Sequence, residues 1–175
     1  MHTNSLSNLV VSTKKEIAKN IFLFEIKHPQ GKELPPFTAG AHLPIKTPSG
    51  VMRHYSLCGA PADQHSYWIA VKKETEGRGG SVSMTEQLSP GDEVLVDEPQ
   101  NLFELSNKAK SFIFIAGGIG ITPMMSMIKH LQATEDVRPF KLYYLSRTPQ
   151  GSAFLDELAS KELAGKRSEE RRVGK

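Results

Sequence analysis

Arg53-His54-Tyr55-Ser56 places a guanidinium, an imidazole, a phenol ring and a hydroxyl on four successive residues. Val51–Leu57 reads as a short strand, so Arg53 and Tyr55 fall on one side and Ser56 on the other. A guanidinium can fork onto phosphate oxygens. A tyrosine ring can stack on a flat heteroaromatic ring, and a local twist or bulge would let Ser56 reach the same ligand. Gly77-Arg78-Gly79-Gly80-Ser81 then leads from a strand into a short helix. Backbone N–H groups at such a helix start, unshielded by side chains, suit an anion, and Ser81 is expected both to cap the helix and to donate to a phosphate.

A second constellation lies further along. Ala116-Gly117-Gly118-Ile119-Gly120-Ile121-Thr122-Pro123 follows an apolar strand and opens a helix, the context a diphosphate- or nicotinamide-contacting loop requires. Proline at 123 excludes the G-x-G-x-x-G fingerprint, and the lack of a following lysine excludes a P-loop. Ser146-Arg147-Thr148 ends the next strand, where ligands lie in open α/β sheets, so Arg147 is a candidate for an adenosine phosphate. Each motif alone also has an ordinary explanation: an amphipathic strand, a flexible glycine turn, a tight βα turn, a solvated arginine. In the functional reading, two nucleotide-type sites on one chain point to electron passage between two cofactors.

The elements that must position these residues follow from pattern. Leu9–Thr13, Ile21–Lys27, His42–Thr47, Val51–Leu57, Tyr67–Lys73 and Glu93–Asp97 read as strands separated by Gly/Pro turns, with Ser81–Leu88 as one helix. Short strands at this spacing predict a small antiparallel barrel. The pattern then changes to strand Ser111–Ala116, helix Pro123–Gln132 capped by Thr122, strand Lys141–Ser146 and helix Ser152–Ala164, the start of a parallel α/β sheet. Residues 166–175 lose the apolar periodicity.

Composition bounds the rest. The chain has 175 residues, 38% hydrophobic, and a net charge of +3. Five basic and two acidic residues fall within 166–175, and the other 165 balance at 17 of each sign. A nucleic-acid binder carries its positive charge on a face of the fold, so no nucleic-acid partner is expected. No apolar run approaches the ~20 residues that span a bilayer, and the polar start, Met1–Asn8, carries no signal pattern; the expectation is a cytoplasmic protein without a membrane partner. Cys58 is the single cysteine, so no cysteine-ligated iron–sulfur cluster or zinc site can form here. The six scattered histidines show no metal-ligand spacing, and no metal is expected.

Taken together, Phe37–His42, Arg53–Cys58, Gly77–Ser81, Ala116–Met124 and Tyr144–Thr148 resemble the ferredoxin–NADP reductase superfamily, most closely its phthalate dioxygenase reductase and vanillate demethylase reductase type. The resemblance covers about residues 9–164 and implies a Greek-key flavin-binding barrel over 1–104, a partial NAD(P)-binding α/β domain over 105–165 and a non-family basic tail over 166–175. It implies that Arg53 binds flavin phosphate, that Tyr55 stacks on the isoalloxazine with Ser56 near its N5, and that Gly79, Gly80 and Ser81 close over the phosphate, with His54 beside them. Gly117, Gly118, Gly120, Thr122 and Pro123 would hold the nicotinamide end. FMN is preferred over FAD and NADH over NADPH, with Arg147 leaving NADPH open. The implied activity is hydride acceptance from NAD(P)H and single-electron delivery to an iron–sulfur or oxygenase partner. The alternative is a flavin-binding fragment without turnover, because the α/β domain lacks later family elements. The tail is expected to be foreign or out of frame, or else a frayed charged helix.

Overall fold

The computed structural model describes residues 6–160 and the backbone of 167–173. Six strands form one antiparallel sheet: β1 (Ser7–Ala18), β2 (Ile21–Lys27), β3 (His42–Lys46), β4 (Met52–Ser56), β5 (Tyr67–Lys72) and β6 (Glu93–Val96). Their order is β4-β3-β6-β1-β2-β5. The outer strands meet through a bridge between Leu57 and Ile69, reinforced where the Cys58 N–H donates to the Trp68 carbonyl at 2.8 Å. The sheet therefore curls into a barrel, as the strand spacing predicts. Phe24, Ile26, Leu43, Ile45, Leu57 and Ile69 fill its core. Along β6 only Val94 and Val96 are buried, so a slip of one residue would turn them outward, whereas β2 and β5 are apolar on both faces, with Ile21 and Ala70 in a second core cluster.

Helix α1 (Gly80–Gln87) lies between β5 and β6. At eight residues it is too short to persist alone, and Met84 and Leu88 anchor it in the barrel core. Its N-cap is Gly79 in the left-handed conformation, with φ 79° and no side-chain cap. This corrects the expected cap: the Ser81 hydroxyl instead accepts the Glu74 N–H at 3.1 Å.

The second unit has β7 (Phe112–Gly117), helix α2 (Ile121–Ala133), β8 (Phe140–Ser146), helix α3 (Leu155–Ala159) and β9 (Arg167–Val173). The sheet order is β7-β8-β9, both pairings parallel. Three corrections apply. Thr122 does not cap α2, because a 3₁₀ turn over Gly118–Gly120 runs directly into the helix and Thr122 Oγ1 donates to the Ile119 carbonyl at 3.0 Å. The last helix starts late, at Leu155, because Phe154 takes a left-handed backbone with φ 62°; residues 161–164 of the expected helix lie outside the described residues. Within the tail, Arg167–Val173 forms a strand on β8 and not a helix, since a parallel edge supplies a ladder of backbone partners whatever the side-chain pattern. Its remaining residues, 166, 174 and 175, lie outside the described ones.

Strand β7 alternates: Phe112, Phe114 and Ala116 are buried, while Ile113 and Ile115 are 67% and 66% exposed. Its apolar run therefore does not mean burial on both faces, because α2 covers one side only. The two units share a core. Ile21, Ala39, Cys58 and Ala70 of the barrel pack with Met124, Met127 and Ile128 of α2. The join is tight at Gly40, where φ is 96° and an added Cβ would lie 2.0 Å from the Phe103 carbonyl oxygen.

Candidate functional site

Strand β4 pairs antiparallel with β3, Arg53 opposite Ile45, Tyr55 opposite Leu43 and Ser56 opposite His42. Opposed residues share a face, so Arg53 and Tyr55 sit on the Leu43/Ile45 side, and Ser56 on the other with His42 and His54. The alternation expected from the tetrapeptide is the one observed. His54 is exposed, its ring 4.9 Å from that of His42. Burial, and then the neighbouring His54, hold His42 below the ordinary imidazole range against an opposing hydrogen bond with Gln100.

Arg53 is half-buried, and its Nη1 donates to the Met52 carbonyl at 3.0 Å. Among the described residues no carboxylate lies within ion-pair distance of it. Its stem lies against the first turn of α1: a Cβ on Gly80 would stand 3.0 Å from Arg53 Nε and 3.2 Å from Cγ. The fold thus brings the two phosphate-type motifs, far apart in sequence, into contact. Cation and helix N-terminus converge, with no acidic residue in the first turn of α1 and no ion-pair partner for Arg53 among the described residues, an arrangement that favours an anion.

Tyr55 packs on the barrel core, yet its hydroxyl is buried with no hydrogen-bond partner. An unsatisfied buried polar group costs about 1–3 kcal/mol and calls for an explanation. Burial raises its pKa to about 12, against the opposing effect of Arg53. The phenol therefore stays neutral and keeps a proton to donate. A ligand acceptor at this point would remove the deficit.

The glycine loop begins at Gly117, the last residue of β7. Gly118 has φ 52°, a conformation that favours glycine. Gly117 and Gly120 have ordinary backbone angles. A Cβ on any of the three would meet nothing within 4 Å, so this side of the loop is open, not packed. The Ile121 N–H is already used inside the turn, on the Gly118 and Ile119 carbonyls. Pro123 lies in the first turn of α2, where its missing N–H costs no helical bond. Arg147 is exposed beyond β8. Since Gly117 is in register with Leu145, Arg147 stands two residues past the level at which the loop begins.

Lys129 joins the two regions. From α2 its ammonium donates to the Cys58 carbonyl at 2.9 Å and pairs with Glu157 of α3 at 3.0 Å. Cys58 lies two residues past Ser56, so the end of β4 is tied to the helix that the glycine loop opens. The Cys58 thiol is buried and donates to the Trp68 carbonyl at 3.3 Å, and burial pushes its pKa up to about 12. It is an inert packing group. Sequence reasoning overlooks Lys129 and Gly40. A lysine on a helix signals nothing until its partner is known, although the glycine before Ala41-His42 hints at a special backbone.

Among the described residues no three His, Cys, Asp or Glu side chains gather to hold a metal, and no helix is long and apolar enough to cross a membrane.

Residues 114–173 match the family model of the oxidoreductase NAD-binding domain, a range that takes in β9. The chain is 53% identical over 161 residues to the phthalate 4,5-dioxygenase oxygenase reductase subunit of Pseudomonas putida, covering 92% of this chain and 49% of that one. It is 38% identical over 155 residues to a vanillate O-demethylase oxidoreductase of Pseudomonas putida, covering 89% and 48%. A solved phthalate dioxygenase reductase, described as a modular structure for electron transfer from pyridine nucleotides to [2Fe-2S], superposes with a TM-score of 0.92 at 47% identity, covering 98% of this chain and 53% of that one. The chain spans about half the length of the curated relatives it matches.

Proposed function

This chain belongs to the ferredoxin–NADP reductase superfamily, beside the phthalate dioxygenase reductases, and we propose that it is the flavin- and nicotinamide-binding part of an oxygenase reductase. The observation that carries this reading is the buried Tyr55 hydroxyl, without a partner among the described residues, beside an Arg53 that has no carboxylate partner among them and leans on the start of α1. Those groups fit a flavin phosphate and ring.

In this reading Arg53 forks onto the phosphate, and the first N–H groups of α1, at Gly80 and Ser81, complete the anion site with Gly79 setting the turn. Tyr55 stacks on the ring and its hydroxyl donates to the ligand. Ser56 and His54 lie on the opposite face of β4 with no bulge to turn them, so Ser56 serves as a donor to the reacting edge from the end of the strand and His54 borders the site from outside. The flavin taken is FMN, since Arg53 and α1 together satisfy a single terminal phosphate. Gly117, Gly118 and Gly120 present an open surface to the nicotinamide end of NADH, with Pro123 beside them and the buried Thr122 holding the turn through its bond to the Ile119 carbonyl. Arg147 faces the nucleotide's far end, where a 2′-phosphate would make NADPH a second donor. A bound flavin supplies an acceptor for a two-electron hydride and releases the electrons singly to an iron–sulfur or oxygenase partner. The protein's part is to hold the two rings in contact and keep water out, which the Lys129 tie and the shared core serve.

The test is an absorbance spectrum of the purified chain with FMN, before and after NADH is added without oxygen. Flavin bands that shift on binding and then bleach support both halves of the proposal. Bands that form and persist would refute the hydride path while retaining the flavin site. An unperturbed spectrum of free FMN would refute the assignment.

A further inference from the structure

Helix α1 presents its N-terminus to Arg53, but its last turn contains no basic residue. The cation that a helix C-terminus favours comes from elsewhere in the fold. Lys14 on β1 sends its ammonium to the Thr85 carbonyl at 2.7 Å and the Leu88 carbonyl at 2.8 Å. The same ammonium lies 5.6 Å from the Phe22 ring centroid and 6.0 Å from that of Phe24, and Lys14 is the register partner of Phe24. Lys14 has no acidic partner among the described residues. Two terminal carbonyls and two ring faces are what hold this half-buried charge.

We infer that Lys14 is a positioning residue for the phosphate site, an inference that rests on the flavin reading above. The eight residues of α1 rise about 12 Å as a stiff rod. Fixing the C-terminal end therefore fixes where Gly79, Gly80 and Ser81 point at the other. The helix has other holds as well. Glu86 pairs with Lys73 at 2.5 Å near the surface, where such pairs contribute little. Ser83 accepts the Ser49 N–H at a long 3.3 Å. Met84 anchors the middle of the helix, Leu88 packs its C-cap on the same core, and the Ser81 hydroxyl accepts the Glu74 N–H at its start, but none of these meets the partial negative charge of the terminal carbonyls, which the Lys14 ammonium does. With Lys14 in place, the Gly80 backbone stays against Arg53 and the two phosphate-binding groups hold a common geometry.

The test compares FMN with riboflavin, which shares the ring but lacks the phosphate, in the parent, Lys14→Met, Lys14→Arg and Arg53→Ala. Dissociation constants come from quenching of flavin fluorescence. The readout is the riboflavin-to-FMN ratio, which a general loss of folded protein does not move. The parent is expected to prefer FMN by about tenfold or more, and Arg53→Ala to abolish that preference. Lys14→Met is expected to cut the ratio several-fold with riboflavin binding unchanged, and Lys14→Arg, which keeps a donor for both carbonyls, to restore most of it. A Lys14→Met ratio equal to the parent's overturns the inference alone, as does equal loss of FMN and riboflavin binding. So does a Lys14→Arg ratio no better than that of Lys14→Met. A parent with no preference overturns the phosphate reading and the inference with it.

Discussion

Replacing Gly80 with alanine separates the site from the fold. Gly80 is the first residue of α1, where alanine is the better helix former by up to ~1 kcal/mol, and its φ is not positive. The new Cβ would stand 3.0 Å from Arg53 Nε and 3.2 Å from Cγ. Both belong to a flexible side chain that can retreat by a few tenths of an ångström. Folding should therefore be unharmed, with a melting temperature equal to the parent's or a few degrees higher. The guanidinium, however, leaves its place. A charge-assisted contact contributes roughly 1.5–3 kcal/mol, so complete loss would weaken FMN about 10- to 150-fold and partial misalignment about 3- to 30-fold. The assay is an FMN titration by fluorescence quenching, paired with a thermal melt of the flavin-free protein. An FMN affinity within twofold of the parent's, with an unshifted melt, would refute the view that Arg53 and the start of α1 grip one phosphate. A drop in both affinity and stability would refute the view that the side chain yields and the backbone does not.

Tyr55→Phe should raise the stability of the flavin-free protein by about 1 kcal/mol, since a buried hydroxyl without a partner is removed, while FMN binding weakens; a destabilised apo-protein in a urea melt would contradict this. Gly40→Ala should destabilise by more than ~3 kcal/mol, because φ 96° strains any side chain and the Cβ meets a backbone oxygen at 2.0 Å; an unchanged melting temperature would show the join to be looser than described. Cys58 holds its proton up to about pH 12 when folded, but an unfolded thiol loses it near pH 8.5. The folded chain thus binds more protons above that pH, and stability is lost as pH rises, by up to ~1.4 kcal/mol per unit from this group. Urea melts of the parent and Cys58→Ala at pH 8.5, 9.5 and 10.5 should show a shallower fall in the variant, and parallel curves would remove Cys58 from the alkaline response.

Much of the fold is legible in local pattern. The strand Ile21–Lys27 is found at the boundaries its β-branched and aromatic run predicts, and β3 to β6 fall within one residue of theirs, whereas β1 runs well past the expected Leu9–Thr13 to Ala18 because its polar Lys14, Lys15 and Glu16 are carried by the ladder to β2. The glycine loop is likewise where an apolar strand followed by a helix requires it. Helix starts are less legible. Thr122 and Ser81 carry the chemistry of caps, yet a 3₁₀ turn and a left-handed glycine make the entries instead. Backbone geometry before a helix decides which residue is free to cap, and composition does not record it. The apolar run of β7 is misleading for a related reason: alternate burial depends on which face a helix covers.

The sequence by itself determined the two-unit plan, the residue types able to grip a phosphate and a flat ring, and the family they resemble, because these are local facts of spacing and side-chain chemistry. Only the tertiary structure decided that Arg53 meets Gly80, that the Tyr55 hydroxyl is left without a partner, and that Gly40 is wedged against Phe103. It likewise decided that Lys129 and Lys14 reach carbonyls 71 to 74 residues away. Such contacts arise where curled sheet, short helix and second unit close on one another. Their energies depend on distance and burial, which a linear order of residues leaves open.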